Sequence, residues 1–168
     1  MSSLTPEFRR ATEKDTDFLY RVYASTRQEE VQKAPWTSTQ RQAFLAMQAR
    51  AQDKHYRAHF PDGDYFIIVV KGQDAGRLYL SRTGKEIRIV DIALLPEFRG
   101  EGMGQNILQG ILAEAHQKKV PVRIHVEKNN PALRLYQRLN FHACADKGVY
   151  WLMEYQPDSS SRMLKTDS

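Results

Sequence analysis

The segment Arg99-Gly100-Glu101-Gly102-Met103-Gly104 has the residue types that hold a phosphate group. It comes after an apolar stretch with strand character and opens a stretch with helical periodicity. Glycine lets a ligand approach the backbone closely. The first N–H groups of a helix lack intrahelical acceptors, and the helix dipole adds partial positive charge at that end. Spacing excludes two common nucleotide loops. A Walker A loop needs Gly-x-x-x-x-Gly-Lys before Ser or Thr, but Gly84-Lys85 is followed by Glu86 and Tyr79 stands where the first glycine belongs. The dinucleotide fingerprint needs Gly-x-Gly-x-x-Gly, and here the glycines run Gly-x-Gly-x-Gly. A ligand-free strand-to-helix turn has the same local composition.

Asp91 is a second candidate, because it is a carboxylate in the middle of the most apolar strand-like stretch, Glu86 to Leu95. Strand alternation places it on one face with Ile87, Ile89 and Ala93. A lone carboxylate there is costly unless it is hydrogen-bonded, so it reads either as a general base or as the partner of an arginine or of backbone groups. His125 and Glu127 occupy the next strand-like stretch. Cys144 is the only cysteine, and its place near the chain end gives it no evident nucleophilic role.

These residues need elements to position them. Phe8 to Ala11 reads as a first strand, with Thr12 placed to cap the next segment. Phe18, Leu19, Val22 and Tyr23 recur at helical spacing over 17–26. Thr37 or Ser38 caps a second helix carrying Phe44, Leu45, Met47 and Ala51, which stops by Pro61-Asp62-Gly63. Tyr65 to Val70 is β-branched and strand-like. Gly72 to Gly76 reads as a hairpin turn into a strand at Arg77 to Ser81, and Thr83 to Lys85 as a second turn. The stretch Glu86 to Leu95 is apolar enough for a strand covered on both faces. A helix with Ile107, Leu108, Ile111, Leu112 and Ala115 on one stripe then ends in basic residues, as the dipole favours. Val122 to Glu127 is a strand, Pro131 to Asn140 a short helix, and Phe141 to Cys144 and Val149 to Tyr155 are closing strands. We find no internal repeat. The order β-α-α-β-β-β-α-β-α-β-β predicts an α/β domain over 1–156, with a loose polar tail over 157–168.

Composition narrows the class. The 168 residues are 41% hydrophobic and 27% charged, a globular balance. The longest clean apolar run, Tyr65 to Val70, is far too short to span a bilayer, and the N-terminus lacks the pattern of a secretory signal. A single cysteine excludes an internal disulfide framework and a cysteine-built zinc site, predicts no metal, and fits a reducing cytoplasm. Twenty-five Lys and Arg against twenty Asp and Glu give a net charge of +5, which suits a polyphosphate ligand without identifying one.

Together the motifs resemble the GNAT superfamily of acetyl-coenzyme A-dependent N-acetyltransferases. Arg99 to Gly104 fits that family's Arg/Gln-x-x-Gly-x-Gly/Ala signature, with Ile92-Ala93-Leu94-Leu95-Pro96-Glu97-Phe98 as its usual approach. Asn130-Pro131-Ala132-Leu133-Arg134-Leu135-Tyr136-Gln137-Arg138-Leu139-Asn140-Phe141 is similar to the family's Asn-Pro-Ala-x-x-Leu-Tyr-x-x-Leu-Gly-Phe segment. One helix and one strand separate the two motifs, in the family's order. The likeness covers Glu86 to Tyr155; the N-terminal half agrees in element order only. Asn140 stands where glycine is usual, and Asn tolerates left-handed backbone better than most residues.

The resemblance implies a mixed, mostly antiparallel sheet of about seven strands, splayed in the middle and flanked by about four helices. It implies acetyl-coenzyme A as cosubstrate. Backbone amides of Arg99, Gly100, Glu101, Gly102, Met103 and Gly104 would hold the pyrophosphate, and the backbone of Ile92, Ala93 and Leu94 would pair with the pantetheine arm. The Leu94 amide would stabilise the oxyanion. Asn129 or Asn130 would touch the pantetheine or thiol end. Tyr136 would protonate the leaving thiolate, whereas its plain role is to pack with Leu133 and Leu139. Asp91 is the candidate base, with Glu127, His125 or a water chain as alternatives. Trp36, Tyr56, His59 and Phe60 would wall an acceptor pocket, or belong to the core.

The function expected is acetyl transfer to a primary amine in a ternary complex. The acceptor is open among small amines, amino acids and peptide or protein amino groups. Its competitor is an acyl-coenzyme A-binding module without turnover. An aminoacyl-tRNA acceptor ranks lower, because the basic residues are spread along the chain. No membrane partner is expected, and the family's range includes homodimers.

Overall fold

The computed structural model describes residues 5–157. The described residues form one α/β domain whose sheet has seven strands: β1 (Glu7–Arg10), β2 (Asp64–Val70), β3 (Gln73–Arg82), β4 (Ile87–Leu94), β5 (Val122–Glu127), β6 (His142–Lys147) and β7 (Tyr150–Tyr155). Their order across the sheet is β1-β2-β3-β4-β5-β7-β6. The helices are α1 (Thr16–Gln32), α2 (Ser38–His59), α3 (Met103–Lys118) and α4 (Leu133–Arg138). The element order agrees with the sequence reading, and the sheet is mixed and mostly antiparallel as expected. The tail expected over 157–168 lies outside the described residues except for Pro157, which is buried.

The domain divides into two compact units. One takes in the described residues up to Tyr79 together with Asp91–Met103, and the other Leu80–Val90 together with the described residues from Gly104. In the first, β1 pairs antiparallel with β2, from Glu7↔Val69 to Arg10↔Phe66. Thr12 heads a short 3-10 turn through a capping box with Asp15, and Thr37 caps α2 through a second box with Gln40. Tyr23, Val31 and Leu45 make a small core between α1 and α2, with Trp36 and Phe44 packed on it. Trp36 therefore serves that core, its ring 4.9 Å from that of Phe44.

Two strand details differ from expectation. The turn between β2 and β3 is Lys71-Gly72, with φ of 52° and 77°, as a two-residue type I′ hairpin requires. Gly76, read from sequence as part of that turn, lies inside β3. Local composition misleads here because Gly-Gln-Asp-Ala-Gly is turn-like, while the pairing partners of β3 extend it. Likewise β3 is the strand buried on both faces, from Ala75 to Leu80, whereas β4 is only half-buried from Val90 to Leu94.

In the second unit, Val122, Ile124 and Val126 alternate inward along β5, and the apolar stripe of α3 is buried as its spacing predicts. β5 runs antiparallel to β7 from Val122↔Tyr155 to Glu127↔Tyr150. Its parallel pairing with β4 covers Ile87–Ile89 against Val122–Ile124, which stops well short of the end of β4. β6 meets β7 with a register shift between Ala143 and Ala145, and Cys144 at that irregularity is exposed.

Candidate active site

The last turn of β4 is irregular. A Cβ built on Gly76 would overlap the Ala93 carbonyl oxygen and lie 3.0 Å from Leu94 Cα. Because a Cβ projects from the face of a sheet, an oxygen in that place has left the plane of the ladder. Only glycine leaves room for it. Among the described residues every peptide is trans, so the N–H of Leu94 points opposite to the Ala93 carbonyl, away from Gly76. The next peptide is fixed too: Leu95 N–H donates to Ala75 O at 2.8 Å, and Arg99 Nε donates to Leu94 O at 2.9 Å.

Pro96–Phe98 forms one 3-10 turn, and the chain then reaches Gly100 and Gly102 with φ of 80° and 78°. Other residues adopt such angles only at a cost of about 1–2 kcal/mol, which explains glycine at both positions. Nothing lies within 4 Å of a Cβ built on either glycine. Helix α3 starts directly afterwards at Met103. Open glycines in left-handed geometry before the first N–H groups of a helix fit a pyrophosphate. Glu101 is exposed in this loop and Met103 is buried beneath it.

Asp91 is ion-paired with Arg77 of β3. Arg77 is only 6% exposed; it also donates to Gln52 Oε1 of α2 at 2.7 Å and lies over the Tyr79 ring. Burial works against the Arg77 charge, but the Asp91 carboxylate beside it prevails and raises its pKa. Arg77 Nε and Asp91 Oδ2 are buried without a hydrogen-bond partner, so the pair is in contact but poorly aligned. Tyr79 is buried against Tyr65 and Tyr56, and desolvation pushes its phenol up to about 12. Phe60 and Tyr56 offer their carbonyls to the Tyr65 hydroxyl, and His59 bonds back to the His55 carbonyl within α2.

The second motif folds in the other unit. Tyr136 is 5% exposed, with its ring edge-on to Phe141 at 5.5 Å; Phe141 in turn packs on Tyr155. Asn140 has φ of 71°, and Phe141 N–H reaches back to Tyr136 O, so asparagine fills the left-handed helix end where glycine is usual. Asn130 accepts from Ala132 N–H through its side chain at 2.8 Å and so shapes the entry to α4. Asn129 is exposed. Partial burial, helped by the charges of Arg88 and Lys147, lowers the pKa of His125 and so favours the neutral imidazole. Among the described residues, no group of three or more His, Cys, Asp or Glu could hold a metal ion, and no helix is long and apolar enough to cross a membrane.

A glycine loop opening a helix after an irregular strand end, followed by the Asn130–Phe141 helix turn, makes a specific pattern. The family model for the acetyltransferase (GNAT) domain matches residues 24–151. The chain belongs to the GNAT acetyltransferases. Members of this family use acetyl-coenzyme A, and the loop geometry above fits that cosubstrate. Among curated proteins none matches the sequence. Among solved structures it is similar to the PaiA N-acetyltransferase of Thermoplasma acidophilum in complex with coenzyme A, at 15% identity and a TM-score of 0.65, over 93% of this chain and 99% of that one. It is also similar to Ard1 of Thermoplasma volcanium, at 20% identity and a TM-score of 0.59, over 91% and 98%. An acetyltransferase of Thermus thermophilus gives 17% and 0.65, over 93% and 99%. At these identities the likeness concerns the GNAT fold.

Three features of this GNAT domain escape a reading of the sequence. Gly76 has the surroundings of a turn residue, Arg77 carries no signal of its own, and Arg99 draws attention only for its amide. A buried arginine beside a lone strand carboxylate is foreseeable in kind, since Asp91 needs a partner. Which arginine supplies it depends on strand register.

Proposed function

We propose that this GNAT domain is an N-acetyltransferase that passes an acetyl group from acetyl-coenzyme A to a primary amine by direct attack. The observation that carries this reading is the Ala93 carbonyl turned onto Gly76, which directs the Leu94 N–H the other way. Acetyl-coenzyme A supplies the activated acyl carbon. Amides of Arg99 to Gly104 bind its pyrophosphate, the backbone of Ile92 to Leu94 lines the pantetheine arm, and Asn129 and Asn130 border its thiol end. The Leu94 N–H receives the negative charge that develops on the thioester oxygen.

As the new C–N bond forms and the C–S bond breaks, Tyr136 gives its phenolic proton to the departing sulfur; the new amide nitrogen sheds its surplus proton to solvent, from which the phenol is restored. The amine must shed a proton to attack. Asp91 is our candidate for taking it, but its carboxylate faces Arg77, so proton uptake there requires that pair to loosen. Water is the alternative acceptor. The substrate is a small-molecule amine, an amino acid, or a peptide or protein amino group.

The test is free-thiol release from acetyl-coenzyme A across a panel of such amines, with Tyr136→Phe in parallel. Amine-dependent release that falls in the variant supports the proposal. Acetyl-coenzyme A binding by calorimetry without release from any amine would favour a binding module, and absence of binding would overturn the donor assignment.

A further inference from the structure

We propose that the Arg99 side chain is a positioning residue for the Leu94 amide; this rests on the reading above that Leu94 N–H faces the thioester oxygen. Arg99 opens the glycine loop, so a phosphate contact is the obvious use of its charge. The structure shows a different use. Its backbone N–H closes the 3-10 turn onto Pro96 O at 3.1 Å, and its side chain folds back over that turn so that Nε donates to Leu94 O at 2.9 Å. Nη2 lies 3.5 Å from Ser25 Oγ of α1, and that hydroxyl already donates to Val22 O at 2.7 Å, leaving its oxygen lone pairs to face the guanidinium.

Both peptide groups of Leu94 are thereby held. The one before it is set by Ala93 O against Gly76, and the one after it by Arg99 Nε and by the Leu95–Ala75 bond. In a regular strand, a neighbouring strand would take the Leu94 carbonyl; here a side chain from five residues on takes it. With the residue fixed at both peptides, the direction of its N–H is fixed as well. Preorganisation of this kind is what makes an oxyanion donor effective, because no reorganisation is needed as charge develops. A small misplacement of such a group is costly.

The test needs no acceptor amine. Acetyl-coenzyme A labelled with carbon-13 at the thioester carbonyl is bound to the intact protein, and its carbonyl stretch is read by isotope-edited infrared spectroscopy. A hydrogen bond from Leu94 N–H lowers that frequency relative to free acetyl-coenzyme A. Arg99→Met, which keeps the backbone amide but has no side-chain donor, is expected to lose about half of the shift or more when the protein is saturated with acetyl-coenzyme A. Arg99→Gln, which keeps a donor but not the charge, is expected to restore the shift.

A full shift in Arg99→Met overturns the inference. So does a roughly tenfold loss of coenzyme A affinity in both variants with the shift intact, since that is the signature of a phosphate contact. Replacing Leu94 by its α-hydroxy acid, which removes only the N–H, separates the two levels. If that change leaves the shift untouched, the oxyanion reading itself fails. If it abolishes the shift while Arg99→Met does not, only the positioning role of Arg99 fails.

Discussion

The end of β4 and the turn of α4 are two places to which the proposed chemistry assigns a proton or a charge, and they are built in opposite ways. At Leu94 the working group is a backbone N–H, and the constraints on it come from other residues: Gly76 by having no side chain, Ala75 by its carbonyl, and Arg99 by its guanidinium. At Tyr136 the working group is a side-chain hydroxyl, and the ring that carries it is fixed by Phe141. The difference predicts where mutations are felt. A side-chain acid is sensitive at its own position, and a backbone donor is sensitive at its neighbours.

The largest expected effect comes from Tyr136→Phe, which keeps the ring packing and removes the proton donor. Its kcat should fall by about 10²–10⁴-fold with coenzyme A affinity nearly unchanged, as read by thiol release and calorimetry. A loss below about tenfold would mean that water protonates the sulfur and would remove the side-chain half of the contrast.

Asp91→Asn comes next, and it acts first on stability. It leaves the Arg77 guanidinium buried without its counter-charge, so unfolding stability should drop by about 3 kcal/mol in denaturant titrations. Asp91→Asn with Arg77→Met should recover part of that loss, since the cost lies in the unpaired charge. Activity per folded molecule then decides the base. If the folded variant retains kcat at raised pH, the proton goes to water, and both working groups of the contrast stand without Asp91.

Gly102→Ala sharpens the backbone half. A β-carbon at φ near 78° costs about 1–2 kcal/mol, so the free loop of the variant should relax away from this geometry and coenzyme A, which needs it, should bind up to about tenfold more weakly, with kcat at saturation little altered. Leu94→Ala should have the smallest effect on rate, a loss of a few-fold in kcat, because the N–H remains and only half-buried packing is lost. A loss in Leu94→Ala as deep as that in Tyr136→Phe would break the comparison, since it would show that the side chain at 94 matters as much as its amide.

Much of this was legible in the chain itself. The Arg99–Gly104 loop, the α3 stripe and the Asn130–Phe141 segment are local patterns, and local patterns survive reading in one dimension. Asn140 shows this well: its tolerance of left-handed geometry follows from residue type, and the structure places it there. The capping residues Thr12 and Thr37 are read the same way.

What the tertiary structure decided depends on which strand lies beside which, and in what register. Gly76 reads as a turn until β3 is set against Ala93 of β4, and only that contact shows why a side chain is excluded. Asp91 reads either as a base or as the partner of some arginine until register brings Arg77 to it. Arg99 reads as a phosphate ligand until its side chain is seen on Leu94 O. Residue type and short-range spacing determine helices, caps and loops, because their hydrogen bonds close within a few residues. Pairing between distant strands is set by burial and ladder register over the whole sheet, and only the folded chain supplies those.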